Sequence, residues 1–209
     1  MRCALVSSLL LSSLLGCGRA ATQPSAAIPE GYLEAVAAGR SEKDRDFIVD
    51  PDSPIPAGLR NAFHGLQYWP VDPRYRLQVP LEEFEIKERF TIVTTTGEAR
   101  PCERYGRLAF TLDAADLHLT VYRLLDGQPT GTAADLFVPF MDATTGRETY
   151  PAGRYVSLED AGEGRYVLDF NLAFNPSCAY GTPERFQCPR TPAENRLAVA
   201  IRAGERGWL

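Results

Sequence analysis

Histidine is nearly absent from this chain: His64 and His118 are the only two in 209 residues. The side chain that most often carries acid–base chemistry and metal ligation near neutral pH is therefore scarce. Gly-x-Ser-x-Gly, His-Glu-x-x-His and Gly-x-x-x-x-Gly-Lys-Ser/Thr do not occur, so the common hydrolase, metalloprotease and P-loop chemistries have no motif behind them. Lys and Arg form no cluster and the formal charge is -5, which argues against a nucleic-acid partner, because phosphate neutralisation needs concentrated cations. Past Leu15 no apolar run approaches the roughly 20 residues that a membrane-spanning helix requires.

What is present begins at the N-terminus. Arg2 supplies a minimal positive region, Ala4 to Leu15 is almost wholly Leu, Val, Ala and Ser, and Gly16-Cys17 follows. This is the outline of a signal peptide over residues 1–16. Leu14-Leu15-Gly16-Cys17 resembles the bacterial lipobox, which implies cleavage before Cys17 and acylation of its thiol. The expected location is the bacterial cell envelope, lipid-anchored at the periplasmic or extracytoplasmic face. The membrane would be met only through the acyl chains, each buried methylene contributing about 0.8 kcal/mol. Residues 17–29, rich in Ala, Ser, Thr and Pro, read as a flexible tether.

About 190 residues then remain, enough for one sizeable core, and residues 30–209 read as a single domain. Of the five cysteines, Cys3 leaves with the signal and Cys17 is the acylated one, so Cys102, Cys178 and Cys188 remain. In an oxidising compartment Cys178 and Cys188, separated by a turn-prone Tyr-Gly-Thr-Pro, are the expected disulfide. Two buried thiols or a metal site are the alternatives, the latter without close C-x-x-C spacing. No cofactor and no metal is expected.

The stretch from Glu30 to Phe47 predicts one helix, ended by Pro51, Pro54 and Pro56. Past Leu77 the hydrophobic period becomes two. Strands are expected at Arg89–Thr95, Arg107–Leu112, Leu117–Leu124, Leu136–Phe140, Arg154–Leu158, Arg165–Phe174 and Leu197–Arg202, with turns at Thr96-Gly97, Asp126-Gly127, Thr145-Gly146 and Glu163-Gly164. Strand following strand without helical patterns between them predicts a mainly β fold, an antiparallel sandwich or open barrel-like domain with one N-terminal helix.

The run from Arg165 to Asn175 sets Tyr166, Leu168, Phe170, Leu172 and Phe174 on one face and Asp169, Asn171 and Asn175 on the other, a polar row if the strand is regular throughout. Glu194, Asn195 and Arg196 precede the last expected strand and Glu205 follows it. His64, Tyr68 and Trp69 lie in an aromatic, turn-rich loop that can line a pocket. Asp142-Ala-Thr-Thr-Gly-Arg-Glu148 lacks the alternating ligands of a calcium loop and reads as a hairpin turn.

Several runs are similar to a family catalogued as the bacterial domain of unknown function 1684. They are Tyr68-Trp-Pro-Val-Asp72, Leu136-Phe-Val-Pro-Phe-Met-Asp-Ala-Thr-Thr-Gly146, Tyr150-Pro-Ala-Gly-Arg-Tyr155, Leu168-Asp-Phe-Asn-Leu-Ala-Phe-Asn-Pro-Ser-Cys-Ala-Tyr180 and Cys188-Pro-Arg-Thr-Pro-Ala-Glu-Asn-Arg-Leu197. The resemblance spans roughly Lys43 to Glu205. It implies one domain and carries no catalytic residue set. Two functions are consistent with these readings. One is a non-enzymatic binding module for a small-molecule or protein ligand, with its site formed by the aromatic segment Phe63 to Trp69 and the polar row Asp169, Asn171 and Asn175. The other is a cofactor-independent hydrolase-like enzyme with Asp169 or Glu194 as general base and Asn171, Asn175 and Arg196 orienting a polar substrate.

Overall fold

The computed structural model describes residues 26–127, 133–181 and 185–208. The expected signal peptide and Cys17 lie outside the described residues. One helix, α1 (Tyr32–Val49), precedes eight strands: β1 (Arg76–Glu83), β2 (Arg89–Val93), β3 (Ala99–Leu112), β4 (Ala115–Leu124), β5 (Leu136–Phe140), β6 (Arg154–Val156), β7 (Leu158–Asp160) and β8 (Arg165–Asp169). All pairings between these strands are antiparallel, in the order β6-β5-β4-β3-β1-β8-β7, with β2 also on β3. Only Ser157 separates β6 from β7. One short stretch of chain therefore pairs with β5 through its first half and with β8 through its second, and the sheet curls into a nearly closed barrel.

Period-two patterning fills the interior. Leu77, Val79, Leu108, Phe110, Leu119 and Val138 come from alternate positions of β1, β3, β4 and β5 and are all buried. Two local features set the register. The β3–β4 hairpin turns on Asp113 and Ala114, both with positive φ, the geometry of a two-residue turn that matches strand twist. Gly106 follows a bulge in β3, and a Cβ there would stand 2.7 Å from the Glu82 carbonyl oxygen, so only glycine lets β1 approach.

The mainly β, barrel-like architecture with one long helix agrees with the expectation; several elements differ. β1 was not anticipated, because Pro80 and the Glu82-Glu83 end obscure its alternation. β3 starts at Ala99 rather than Arg107. The expected strand Arg154–Leu158 is β6 and β7. The strand expected over Arg165–Phe174 stops at Asp169, where the Asp169 side chain accepts from the Asn171 amide and turns residues 170–172 into a 3-10 turn. Leu197–Arg202 is irregular: Leu197 and Val199 bond residues 141 and 143, beyond the end of β5, and the Ile201 carbonyl is taken by Arg154. The expected tether ends early: Ala26 is buried and its amide donates to the Arg76 carbonyl at 2.9 Å, while Arg76 donates to the Ala27 carbonyl at 2.7 Å.

A fully buried cation organises the C-terminal segment. Arg154 donates to the carbonyl oxygens of Ile201 (2.7 Å), Ala203 (2.5 Å) and Glu205 (3.1 Å), with Asp142 3.5 Å away. The Asp142 carboxylate also accepts from the Ile201 amide and from the hydroxyls of Thr144 and Thr145. Replacing Arg154 with Leu leaves the buried Asp142 carboxylate without its counter-ion and three carbonyls without this donor, and we expect a loss of about 3–5 kcal/mol of unfolding free energy in urea titrations. Cys178 and Cys188 are disulfide-bonded, with Cα atoms 6.4 Å apart. Reducing this bond should cost about 3 kcal/mol by the same measurement. Cys102 is the free cysteine among the described residues, and it is buried.

Candidate functional site

Along α1, the side chains of Tyr32, Val36, Arg40, Lys43 and Phe47 recur at helical spacing and form one stripe against the barrel end. Tyr32 donates to Asp169 Oδ2 at 2.5 Å. Arg40 donates to the carbonyls of Trp69 (3.1 Å) and Asn171 (3.3 Å) and stacks over the Tyr68 ring at 4.3 Å. Lys43 reaches Glu205 Oε1, its Nζ standing 5.4 to 5.8 Å from the rings of Phe47, Phe174 and Tyr180. The helix end is then fixed by Phe47 packing with Ile55, Phe63 and Tyr180.

Glu205 is a buried, fully engaged carboxylate at this end. It is 2% exposed, and its Oε2 accepts from the Asn175 amide at 2.8 Å and from the Tyr180 hydroxyl. Burial, followed by the Glu205 charge and hydrogen bond, drives the Tyr180 phenol far above its ordinary range, so it stays a donor. Gly204, at φ +72, lies where a Cβ would stand 2.4 Å from the Ala173 carbonyl oxygen. Glycine is required for Glu205 to reach this position.

Two cavities open on either side of Lys43. The larger, about 690 Å³, is a cleft between Phe47, Tyr155, Phe174, Tyr180 and Phe186, with Arg100 and Arg185 at its wall and the disulfide-bonded Cys188 in its lining. Arg100 is held by Asp126, and Arg185 by Asp52 and the Ser53 carbonyl. The smaller, about 220 Å³, is a slot between α1 at Val36, Gly39 and Arg40 and the chain at Leu172, Ala173 and Phe174.

The residues singled out from sequence are dispersed. Asp169, Asn171 and Asn175 are all buried, and no exposed polar row exists because the backbone leaves the strand at Asp169. Asp169 serves Tyr32, the Asn171 amide and side chain, and Arg76 at 3.5 Å. Asn171 clamps residue 72 through both backbone groups of Asp72. Asn175 donates to the Arg206 carbonyl and lines the cleft. Asn195, fully buried, accepts from the Thr120 amide and donates to the carbonyls of Thr120 and Pro139, standing in for a strand between β4 and β5. Arg196 is exposed.

Glu194 lies on the outer wall with Arg104 and the Tyr122 hydroxyl. His64 is exposed and lines neither cavity, whereas Tyr68 lines the slot. Trp69 pins Gly204 through its amide and covers Arg154 at 5.4 Å. The site residues that sequence inspection missed are Arg40, Lys43 and Tyr180. For Arg40 and Lys43 the signal was the five-residue stripe on α1, hidden because the exposed Leu33 and the interior Gly39 blur its amphipathicity; Tyr180 had no local signal.

A family model described as a protein of unknown function (DUF1684) matches residues 61–206. The chain belongs to this family. The match begins after α1, so the stripe of α1 lies outside it while the cleft's other walls lie within it. A solved structure similar to this DUF1684 chain is the solution NMR structure of an uncharacterised protein from Haloarcula marismortui. It is 37% identical, covers 85% of this chain and 95% of its own, and superposes with a TM-score of 0.63. No curated protein matches the chain.

Burial alone would raise the Glu194 pKa, but its own backbone amide, the Tyr122 hydroxyl and Arg104 outweigh that and hold it below its usual value. A depressed folded-state pKa contributes stability that is present above the unfolded value, near 4.3, and is lost as pH falls through the folded one. We expect Arg104→Ala to move the Glu194 titration upward in carbon-detected NMR and to bring acid unfolding to a higher pH. An unmoved titration would show that Arg104 does not hold the carboxylate.

Proposed function

We propose that this chain is an envelope-anchored, non-enzymatic binding module that takes a small organic molecule in the cleft beside Lys43. The observation that carries this reading is the cleft's lining: aromatic rings for a flat apolar body, and three cations, Lys43, Arg100 and Arg185, each paired with a carboxylate (Glu205, Asp126 and Asp52) and each with further N–H donors to spare. Its volume of about 690 Å³ lies in the range of small-molecule sites, and apolar walls with a few placed polar groups are how such sites achieve both affinity and orientation. The ligand class that fits is an aromatic acid. Anchoring rests on the N-terminal sequence, Arg2 to Cys17, and the Cys178–Cys188 disulfide is consistent with an oxidising, exported setting.

The hydrolase alternative has less support. Asp169 is saturated by hydrogen-bond donors and lines neither cavity, and Glu194 is held below the usual carboxylate range, the opposite of what a base working near neutrality requires.

Calorimetric titration of the purified full-length protein with naphthalene-2-sulfonate should give one saturable site. Arg185→Glu and Arg100→Glu should each weaken it at least tenfold without altering the circular dichroism spectrum. Absence of saturation, or equal binding by both variants, would remove the cleft as the site. Separately, Cys17→Ala should shift the protein from the membrane fraction to the soluble envelope fraction; retention on membranes would refute the anchor.

A further inference from the structure

The slot between α1 and residues 172–174 has a donor surplus that nothing in the protein answers. Tyr68 Oη is buried and has no hydrogen-bond partner among the described residues. Arg40, with five N–H donors, uses them on two carbonyl oxygens and has no carboxylate within ion-pair distance among the described residues. Lys43 directs one of its three donors to Glu205. The acceptors at the slot are already taken: Glu205 Oε1 by Lys43, and Oε2 by the Asn175 amide and the Tyr180 hydroxyl. The lining carries two cations, Arg40 and Lys43, against this one carboxylate.

The rest of the lining is apolar: Ala35, Val36, Leu172, Ala173 and Phe174. Gly39 forms part of the wall, and a Cβ built there meets nothing within 4 Å, so the missing side chain leaves space rather than a close packing contact. A cavity of about 220 Å³ holds roughly seven water-sized groups at about 30 Å³ each. Unmatched donors call for an occupant that only accepts, and apolar walls call for an aliphatic body.

We propose that this slot is a second binding site, separate from the aromatic cleft, for a short-chain aliphatic monocarboxylate. Its carboxylate is received by the Tyr68 hydroxyl and the Arg40 guanidinium, and its alkyl chain lies against Val36, Leu172 and Phe174. Charge-assisted hydrogen bonds from a guanidinium and a desolvated phenol select the acid over an alcohol of the same length. The excess of positive charge selects it over an amine.

The test is titration of the purified full-length protein with butyrate, n-butylamine and butan-1-ol, followed by ligand-observed NMR. Butyrate should bind one saturable site at least tenfold more tightly than either analogue. Tyr68→Phe, which removes only the hydroxyl, should weaken butyrate at least tenfold. Gly39→Leu should weaken it as much by filling the slot, and the protein should still fold because leucine favours the helix interior where glycine does not. Arg100→Glu, in the aromatic cleft, should leave butyrate binding unchanged, so loss of the cleft reading and loss of this one are told apart. No saturable butyrate binding, equal affinity for butan-1-ol or n-butylamine, or full binding by Gly39→Leu would each overturn the proposal.

Discussion

Everything at the working end of this barrel depends on the Arg154 guanidinium. A cation removed from water is costly unless its hydrogen bonds are replaced, and here three carbonyls of one irregular segment take its two terminal nitrogens, while Nε has no partner among the described residues. Burial lowers its pKa to about 10, with Asp142 and Glu205 opposing the shift, so it remains charged at neutral pH. The rings of Phe140 and Trp69, 5.0 and 5.4 Å away, complete its shell. Because those carbonyls belong to Ile201, Ala203 and Glu205, the same interaction that neutralises the polar backbone of the C-terminal segment also fixes the start of the Glu205 side chain. Lys43, Tyr180 and Asn175 then converge on it.

This order of dependence explains what was legible in the sequence. The interior strands were, because Leu117 to Val121 alternates apolar with polar residues and Leu136 to Phe140 is a short, continuous apolar run. The Cys178–Cys188 bond was too, since its partners are close in the chain. The site was not. Asp169, Asn171 and Asn175 look like a polar row only if the strand continues, and it ends because the Asp169 carboxylate captures an amide two residues ahead. Asn195 looks like a surface amide but is buried by a pairing with Thr120, 75 residues away in sequence. Arg154 reads as the first residue of an ordinary strand; the carbonyls that bury it lie 47 to 51 residues downstream.

Lys43 occupies the wall between the cleft and the slot, and it reaches that place from a helix rather than from the barrel. The two cavities therefore have one rigid side, built from β-strands and the Arg154-held segment, and one side set by how α1 lies across the turn at residues 169–175. Tyr32 on Asp169, Arg40 on the Trp69 and Asn171 carbonyls, and Lys43 on Glu205 are three polar attachments spaced along that helix. They hold it where an apolar stripe alone would permit sliding.

The shared β6–β7 stretch has a consequence for how the molecule is made. β1 gains one neighbour, β3, soon after it is synthesised, but its other neighbour is β8. Until residues 165–169 exist, that second edge is an unpaired row of amides and carbonyls, open to any other extended chain. The growing polypeptide thus carries a temporary adhesive strip from the completion of β1 at Glu83 until β8 is made at Arg165–Asp169. The edge runs on to Leu81, whose amide reaches the Gly164 carbonyl, and the like charges of Glu82 and Glu83 that follow are what a stray strand would meet at its far end.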